Sequence, residues 1–386
     1  MSGFLPYGRQ TIEDDDIAAV AEALRADFLT TGPTVEAFET AFRQKVGAQH
    51  AIAVSNGTAT LHLAMIALGV GEGDVCIAPS VTFLATANCA RYAGAEVVFA
   101  DVDPDSGLMT PDTLADALAR AGDRRVRAVL PVHLRGDVCD LPALKAMASA
   151  AGAVLVEDAP HALGSVATFG NEAHPVGDCA YSAFASFSFH PVKTLATGEG
   201  GMLTTNDAAL AAKARSLRGH GMVRPAGAEP WVYEMPELGF NYRIPDVLCA
   251  LGISQLAKLD RFVERRRSLT ARYQALLAPL SPLVRLAAGP SWSDPALHLL
   301  TALIDFEAAM TTRAAVVESL KAQGIGTQVH YIPVHRQPYY VNRYGLADLP
   351  GADAWYGRCL TLPLYPAMAD EDPERVVEAL ARALGV

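Results

Sequence analysis

Residues 51–68 read AIAVSNGTATLHLAMIAL: a short apolar run, a cluster of small polar residues, then an apolar stripe. The run AIAV is of strand length, whereas Leu61, Ala64, Met65 and Leu68 recur at helical spacing. A strand, a tight turn and a helix are therefore packed into eighteen residues. The same unit repeats outward from here. Strand-length runs follow at VCIA (75–78), EVVFA (96–100), AVLPV (128–132), VLVED (154–158), YSAFAS (181–186) and GMLTT (201–205). Their near-continuous apolarity suits burial on both faces, and the helical stretches between most of them supply the covering layers. The fold class is α/β, a mostly parallel, doubly wound sheet. The last two strands are joined by a loop, so the sheet is expected to be mixed.

Upstream, residues 12–25 form an amphipathic helix opened by a capping-box variant, Thr11-Ile12-Glu13-Asp14. Beyond residue 250 the pattern changes. A long charged helix is predicted over 252–278, and Pro279, Pro282 and Pro290 then interrupt the chain. A strand (HLLTALIDF, 298–306), a helix (311–323), a strand (IGTQVHYI, 325–332) and a last helix (371–384) follow. The organisation expected is a large domain over 1–250, with the N-terminal helix, and a smaller α+β domain over 251–386. A chain of 386 residues is long enough for both.

Composition narrows the classes of function. A net charge of −11 with no basic block argues against nucleic acid as a partner. The opening MSGFLPYGRQTIEDDD has no basic stretch leading into an apolar one, so no secretory signal is expected. The most apolar segments, 51–70 and 278–288, are interrupted well before a membrane span, so no membrane partner is expected and a cytoplasmic location is. The six cysteines form no CxxC pair, which argues against a zinc site and a disulfide framework; no metal is expected.

The unusual polar residues fall at the carboxyl ends of the predicted strands, where open α/β sheets bind ligands. Ser55-Asn56-Gly57-Thr58 would let backbone N–H groups at a helix start close around a phosphate. The same residues also suit an ordinary helix cap. Val156-Glu157-Asp158 ends a buried strand with two carboxylates, which need a cation or strong donors. A protonated pyridine nitrogen is one such partner, and capping of a helix starting at Pro160 is the alternative. Ser186-Phe187-Ser188-Phe189-His190-Pro191-Val192-Lys193 places hydroxyls for a phosphate beside a lone lysine in an aromatic setting. Desolvation there would lower the lysine pKa and free its amine as a nucleophile. A surface lysine on a turn is the commoner fate, but SFSF reads poorly as solvated loop. Together these are a phosphate cradle, a partner for a ring nitrogen and a Schiff-base lysine, the set that pyridoxal phosphate requires.

With those motifs in place the chain resembles the DegT/StrS group of nucleotide-sugar aminotransferases, from TTGPTVEAFE (30–39) to LTLPLYP (360–366). The resemblance implies the aspartate-aminotransferase (type I) fold and a homodimer. FSFHPVKTLATGEGG (187–201) is similar to the lysine motif of enzymes aminating the 4-position of UDP-linked 4-keto sugars. LGFNYRIPDVLCALGISQLAKLDRFVERRR (238–267) and QVHYIPVHRQPYY (328–340) look most like the UDP-4-amino-4,6-dideoxy-N-acetyl-β-L-altrosamine transaminases of pseudaminic acid biosynthesis. By resemblance, Lys193 is the Schiff-base lysine that also moves the proton, and Asp158 pairs with the pyridine nitrogen. His161 lies near the phenolic oxygen, and Phe83 of VTFLATAN stacks on the ring. Gly57, Thr58 and Ser188 hold the phosphate, joined by Asn241 of GFNYR from the partner subunit.

The reaction so implied is ping-pong transamination. Glutamate would convert pyridoxal phosphate to pyridoxamine phosphate, and the amine would pass to a UDP-linked 4-keto sugar. Amination of another keto-sugar, of GDP-perosamine, bacillosamine or 4-amino-arabinose type, is the alternative. Dehydratases of this fold carry His in place of the lysine, and sensors would be expected to lose the lysine or the aspartate; Lys193 and Asp158 are both present. Arg135 and Ala196 depart from the group's pattern, at positions expected near the sugar. His133 reads as a satisfied polar residue, Arg218 and Arg243 as surface ion pairs, and His330 and Tyr331 as substrate-facing.

Overall fold

The computed structural model describes residues 3–386; Met1 and Ser2, at the start of the expected large domain, lie outside the described residues. Seven strands form the central sheet: β1 (His50–Val54), β2 (Asp74–Pro79), β3 (Glu96–Ala100), β4 (Arg125–Val129), β5 (Val154–Asp158), β6 (Phe184–Ser188) and β7 (Gly201–Thr205). Their spatial order is β1-β7-β6-β5-β4-β2-β3. β7 pairs antiparallel with both β1 and β6, while the pairs among β2 to β6 are parallel. The mixed sheet expected from the loop between the last two runs is present. The carboxyl ends of β1, β2, β4, β5 and β6 consequently open on one edge, and the loops that follow them build the site.

The Phe187 and Phe189 side chains are fully buried and pack against Phe38 and Phe42 of the helix Pro33–Val46. Phe42 meets Phe187 edge-on at 5.1 Å, and Phe38 lies 5.5 Å from Phe189. Each ring removed from water contributes about 1.5–3 kcal/mol. Alternation along the extended chain therefore turns Phe187 and Phe189 into the core and leaves Ser188 on the opposite side, facing the site.

Several predicted elements shift. The first helix is Asp14–Ala23, and its cap is Glu13 paired with Asp16 rather than Thr11. The long helix predicted over 252–278 is two helices, Asp246–Leu256 and Leu259–Leu277. They break at Ala257-Lys258, where the Lys258 ammonium turns to Asp15 (2.5 Å) and Asp16 (2.7 Å) of the first helix. Residues 325–332 form no strand; only isolated bridges tie Ile325 to Leu5 and Gln328 to Thr361. The three-stranded second sheet is instead Val284–Leu286, Leu300–Ile304 and Cys359–Leu362. The run at 128–132 forms β4 three residues early, and that at 181–186 forms β6 three residues late.

Two hydrophobic cores result. The first fills both faces of the central sheet; the second gathers Leu269, Tyr273, Leu300, Leu320, Leu362 and Leu380. Leu5, at the other end of the chain, belongs to the second core. The helix Leu259–Leu277 serves both, with Leu259 and Val263 in the first and Leu269, Tyr273 and Leu277 in the second. No helix among the described residues is long and apolar enough to cross a membrane.

Candidate active site

A cavity of about 830 Å³ opens at the carboxyl ends of β1, β2, β4, β5 and β6. Gly57, Thr58, Phe83, Asp158, His161, Ser188 and Lys193 all line it. They come from four separate stretches of sequence that the sheet order brings to one edge.

After β1 the helix Gly57–Ala67 begins. The Asn56 side chain accepts from the Ala59 N–H (2.8 Å), so the cap reading holds for Asn56. The N–H groups of Gly57 and Thr58 have no acceptor among the described residues, and the helix start favours negative charge there. Ser188 completes this corner. A Cβ placed on Gly57 would stand 2.6 Å from the Ser188 Cβ, so only glycine lets the two segments close around an anion. Ser186 does not take part: its hydroxyl is bonded to Thr60 beneath the site.

Asp158, 5% exposed, ends β5. No helix follows at Pro160, which removes the capping alternative. The Thr86 hydroxyl donates to its carboxylate, and Thr82 bonds Thr86 in turn (2.6 Å). No cation lies within ion-pair distance of Asp158 among the described residues. Burial accordingly raises its carboxyl pKa, opposed by Thr86 and by Lys193. A carboxylate in that state fits a cationic ring N–H. Its neighbour Glu157 is spent elsewhere, on His133 (2.9 Å) and the Ser182 hydroxyl, so His133 is a satisfied core residue.

Lys193 lies in the loop between β6 and β7, reached through Pro191, and its backbone N–H is bonded to the His190 carbonyl (2.8 Å). Desolvation brings its ammonium pKa down to about 8, with Asp158 pulling the other way. About a tenth of the lysine is thus free amine at pH 7, far more than for an ordinary solvated lysine, and the free amine is the form a nucleophile and proton carrier needs.

Opposite stand His161 and Tyr331. The Arg135 backbone N–H points at His161 Nδ1 (3.4 Å), which places the proton of the neutral ring on Nε2. That nitrogen donates to the Tyr331 hydroxyl (3.1 Å), leaving the tyrosine proton free for an acceptor in the cavity. Burial holds the His161 pKa well below normal, and the Lys193 charge acts in the same direction. Phe83 is 57% exposed over the cavity, 6.2 Å from the Tyr331 ring, and is open to stack on a planar group.

The remaining residues of the sequence reading fall as follows. Asn241 is exposed and lines no part of its own chain's cavity, although the adjacent Tyr242 does. Arg135 and Ala196 are buried and away from the cavity; Arg135 pairs with Asp137 (2.5 Å) and the Ala287 carbonyl. Arg218 pairs with Glu39 (2.6 Å), whereas Arg243 has no ion pair among the described residues and lines another cavity. His330 and Tyr331 both line the site, and His330 Nδ1 is bonded to Thr361 (2.8 Å). Thr86, Tyr7 and His298 were not singled out in the sequence. Thr86 stands in VTFLATAN, where a hydroxyl one turn after Phe83 was the available signal; the other two had none.

Comparison with known proteins gives the family. The model of the DegT/DnrJ/EryC1/StrS aminotransferase family matches residues 10–381. The spore coat polysaccharide biosynthesis protein SpsC of Bacillus subtilis (strain 168) is 40% identical, with 98% of this chain and 96% of SpsC covered. Among solved structures, Helicobacter pylori PseC, an aminotransferase of pseudaminic acid biosynthesis, superposes with a TM-score of 0.90 at 25% identity over 99% of each chain. The sugar aminotransferase Spr1654 of Streptococcus pneumoniae, in its pyridoxamine phosphate form, gives 0.90 at 26% over 99% of each chain, and a pyridoxal phosphate form of it is also known. The fold is that of the aspartate aminotransferases, the cofactor is pyridoxal phosphate, and the chain belongs to the DegT/DnrJ/EryC1/StrS family of sugar aminotransferases.

Proposed function

We propose that the enzyme moves an amino group from glutamate to the 4-keto carbon of a UDP-linked 4-keto-6-deoxy-N-acetylhexosamine, as in pseudaminic acid biosynthesis. The observation that carries the proposal is the meeting of Lys193, from FSFHPVKTLATGEGG, with Asp158, Ser188 and Gly57 in one cavity. That cavity continues past them to His330 and Tyr331. When bound, pyridoxal phosphate supplies a ring that draws electrons from the reacting carbon. The chain supplies the rest. Gly57, Thr58 and Ser188 hold the phosphate, Asp158 keeps a proton on the ring nitrogen, and Phe83 covers one ring face. His161 and Tyr331 offer a donor to the phenolic oxygen. Lys193 Nζ holds the cofactor and carries the proton to and from the reacting carbon. Asn241 reaches the partner's phosphate in a homodimer.

The greater identity to SpsC than to PseC favours one second reading, a different nucleotide-linked keto-sugar bound for a polysaccharide. One experiment separates them. Purified enzyme is given glutamate and a panel of UDP-, GDP- and dTDP-linked 4-keto sugars, and each product is identified by mass. Conversion of ketone to amine on the UDP-N-acetyl sugar alone is the expected result. Selective use of another nucleotide supports the second reading, and no amination of any keto-sugar overturns both.

A further inference from the structure

Residues 3–9 are anchored to the second core through Leu5. Leu5 bonds through its backbone to the Gly324 carbonyl (2.8 Å) and to the Gly326 N–H (2.8 Å), and its side chain is buried in that core. The Tyr7 carbonyl accepts from the Leu364 N–H (3.1 Å). Gly8 then passes the lysine loop, where a Cβ would stand 3.6 Å from the Val192 Cβ. The backbone around Tyr7 is thus pinned on both sides, and its side chain enters the active-site cavity. The ring rests on His330, with centroids 5.5 Å apart.

The wall that Tyr7 joins through His330 is the stretch from Gln328 to Ile332, which has no formal charge of its own. Burial, reinforced by the Lys193 charge, depresses the His330 pKa to about 3, so that ring is neutral at working pH. His330 Nδ1 already has Thr361, and the Tyr331 hydroxyl accepts from His161 and turns its own proton toward the cofactor's phenolic oxygen in the reading above. The Tyr7 hydroxyl has no partner among the described residues, and burial raises its pKa, so it stays protonated. A half-buried phenol usually finds a partner, because leaving it unpaired costs free energy. A neutral wall with a free donor suits a hydroxylated sugar ring. It does not suit the two carboxylates of an amino donor, which call for cations.

We propose that Tyr7 is a sugar-binding residue, its hydroxyl donating to an oxygen of the keto-sugar and contributing more to the sugar half-reaction than to the donor half-reaction. The proposal rests on the sugar-amination reading above. The test uses the full-length holoenzyme carrying Tyr7→Phe, which keeps the ring and its packing on His330. The donor half-reaction is followed by the absorbance change when glutamate is added to the pyridoxal form. The sugar half-reaction is followed by the reverse change when the pyridoxamine form meets the accepted keto-sugar. The expected result is a fall of about tenfold in the ratio of sugar to donor kcat/KM, the size of one lost hydrogen bond, carried mainly by KM. An unchanged ratio overturns the proposal, whether both rates fall together or neither moves. A wild-type enzyme that aminates no keto-sugar overturns the functional reading, and the Tyr7 assignment with it. A wild type that does so while Tyr7→Phe matches it overturns Tyr7 alone.

Discussion

Asp158→Asn is expected to lower turnover on the order of 10³-fold while the protein stays folded. The substitution keeps the shape at the end of β5, and an amide oxygen can still accept from Thr86. The backbone of residue 158 is tied by its N–H to the Pro131 carbonyl (2.9 Å) and by its carbonyl to the His133 N–H (3.1 Å), neither of which depends on the side chain. What disappears is negative charge in a place where burial makes charge expensive and therefore effective. An amide cannot keep a proton on a ring nitrogen, so the electron sink weakens in the transition state and far less in the ground state. Turnover measured beside the far-UV circular dichroism spectrum checks both halves of the expectation. Near-normal turnover would mean that the ring nitrogen has another partner.

A comparable loss, reaching about 10⁴-fold, is expected for Lys193→Ala, which removes the proton carrier. Borohydride should fix the cofactor on the peptide containing Lys193 in the wild type and nowhere in the variant. The same variant also tests the shared site. Asn241 is exposed and does not line its own chain's cavity, so Asn241→Ala should weaken the partner's site and spare its own chain's cradle. In a symmetric dimer the exchange is reciprocal. When the two impaired proteins are mixed and allowed to exchange subunits, each mixed dimer has one intact and one doubly damaged site. Random exchange in equal amounts makes roughly a quarter of all sites intact. Recovery approaching that fraction of wild-type activity is the expected result. Confirmed exchange with no recovery means that Asn241 serves its own chain.

The sequence was most legible where chemistry and periodicity coincide. Strand-length runs ending in small or charged residues revealed β1 and β5 almost to the residue, because buried parallel strands tolerate few polar interruptions. SFSF read as too apolar for solvated loop, and Phe187 and Phe189 are indeed buried, although only Ser188 of its two serines reaches the cavity. Segments without periodicity stayed opaque. Residues 325–332 have the composition of a strand, yet their backbone bonds to two distant segments and turns His330 and Tyr331 into the cavity. The split near Lys258 depends on acids some 240 positions away, and local helix propensity carries no trace of them. Tyr7 escaped notice for the same reason. Its place is set by carbonyl and N–H partners at 324, 326 and 364, which no window around residue 7 contains.

The helix Leu259–Leu277 has a consequence for how the enzyme fails. Its first turns are anchored beside the central sheet and its last turns beside the second sheet, with no break between them. Melting either half frays the other, because a helix propagates and dissolves cooperatively. Damage around Tyr273 or Leu320, remote from any reacting atom, therefore spreads along this rod toward Leu259 and the floor of the sheet. A lesion there would reduce the amount of active enzyme without altering the chemistry of the molecules that remain folded.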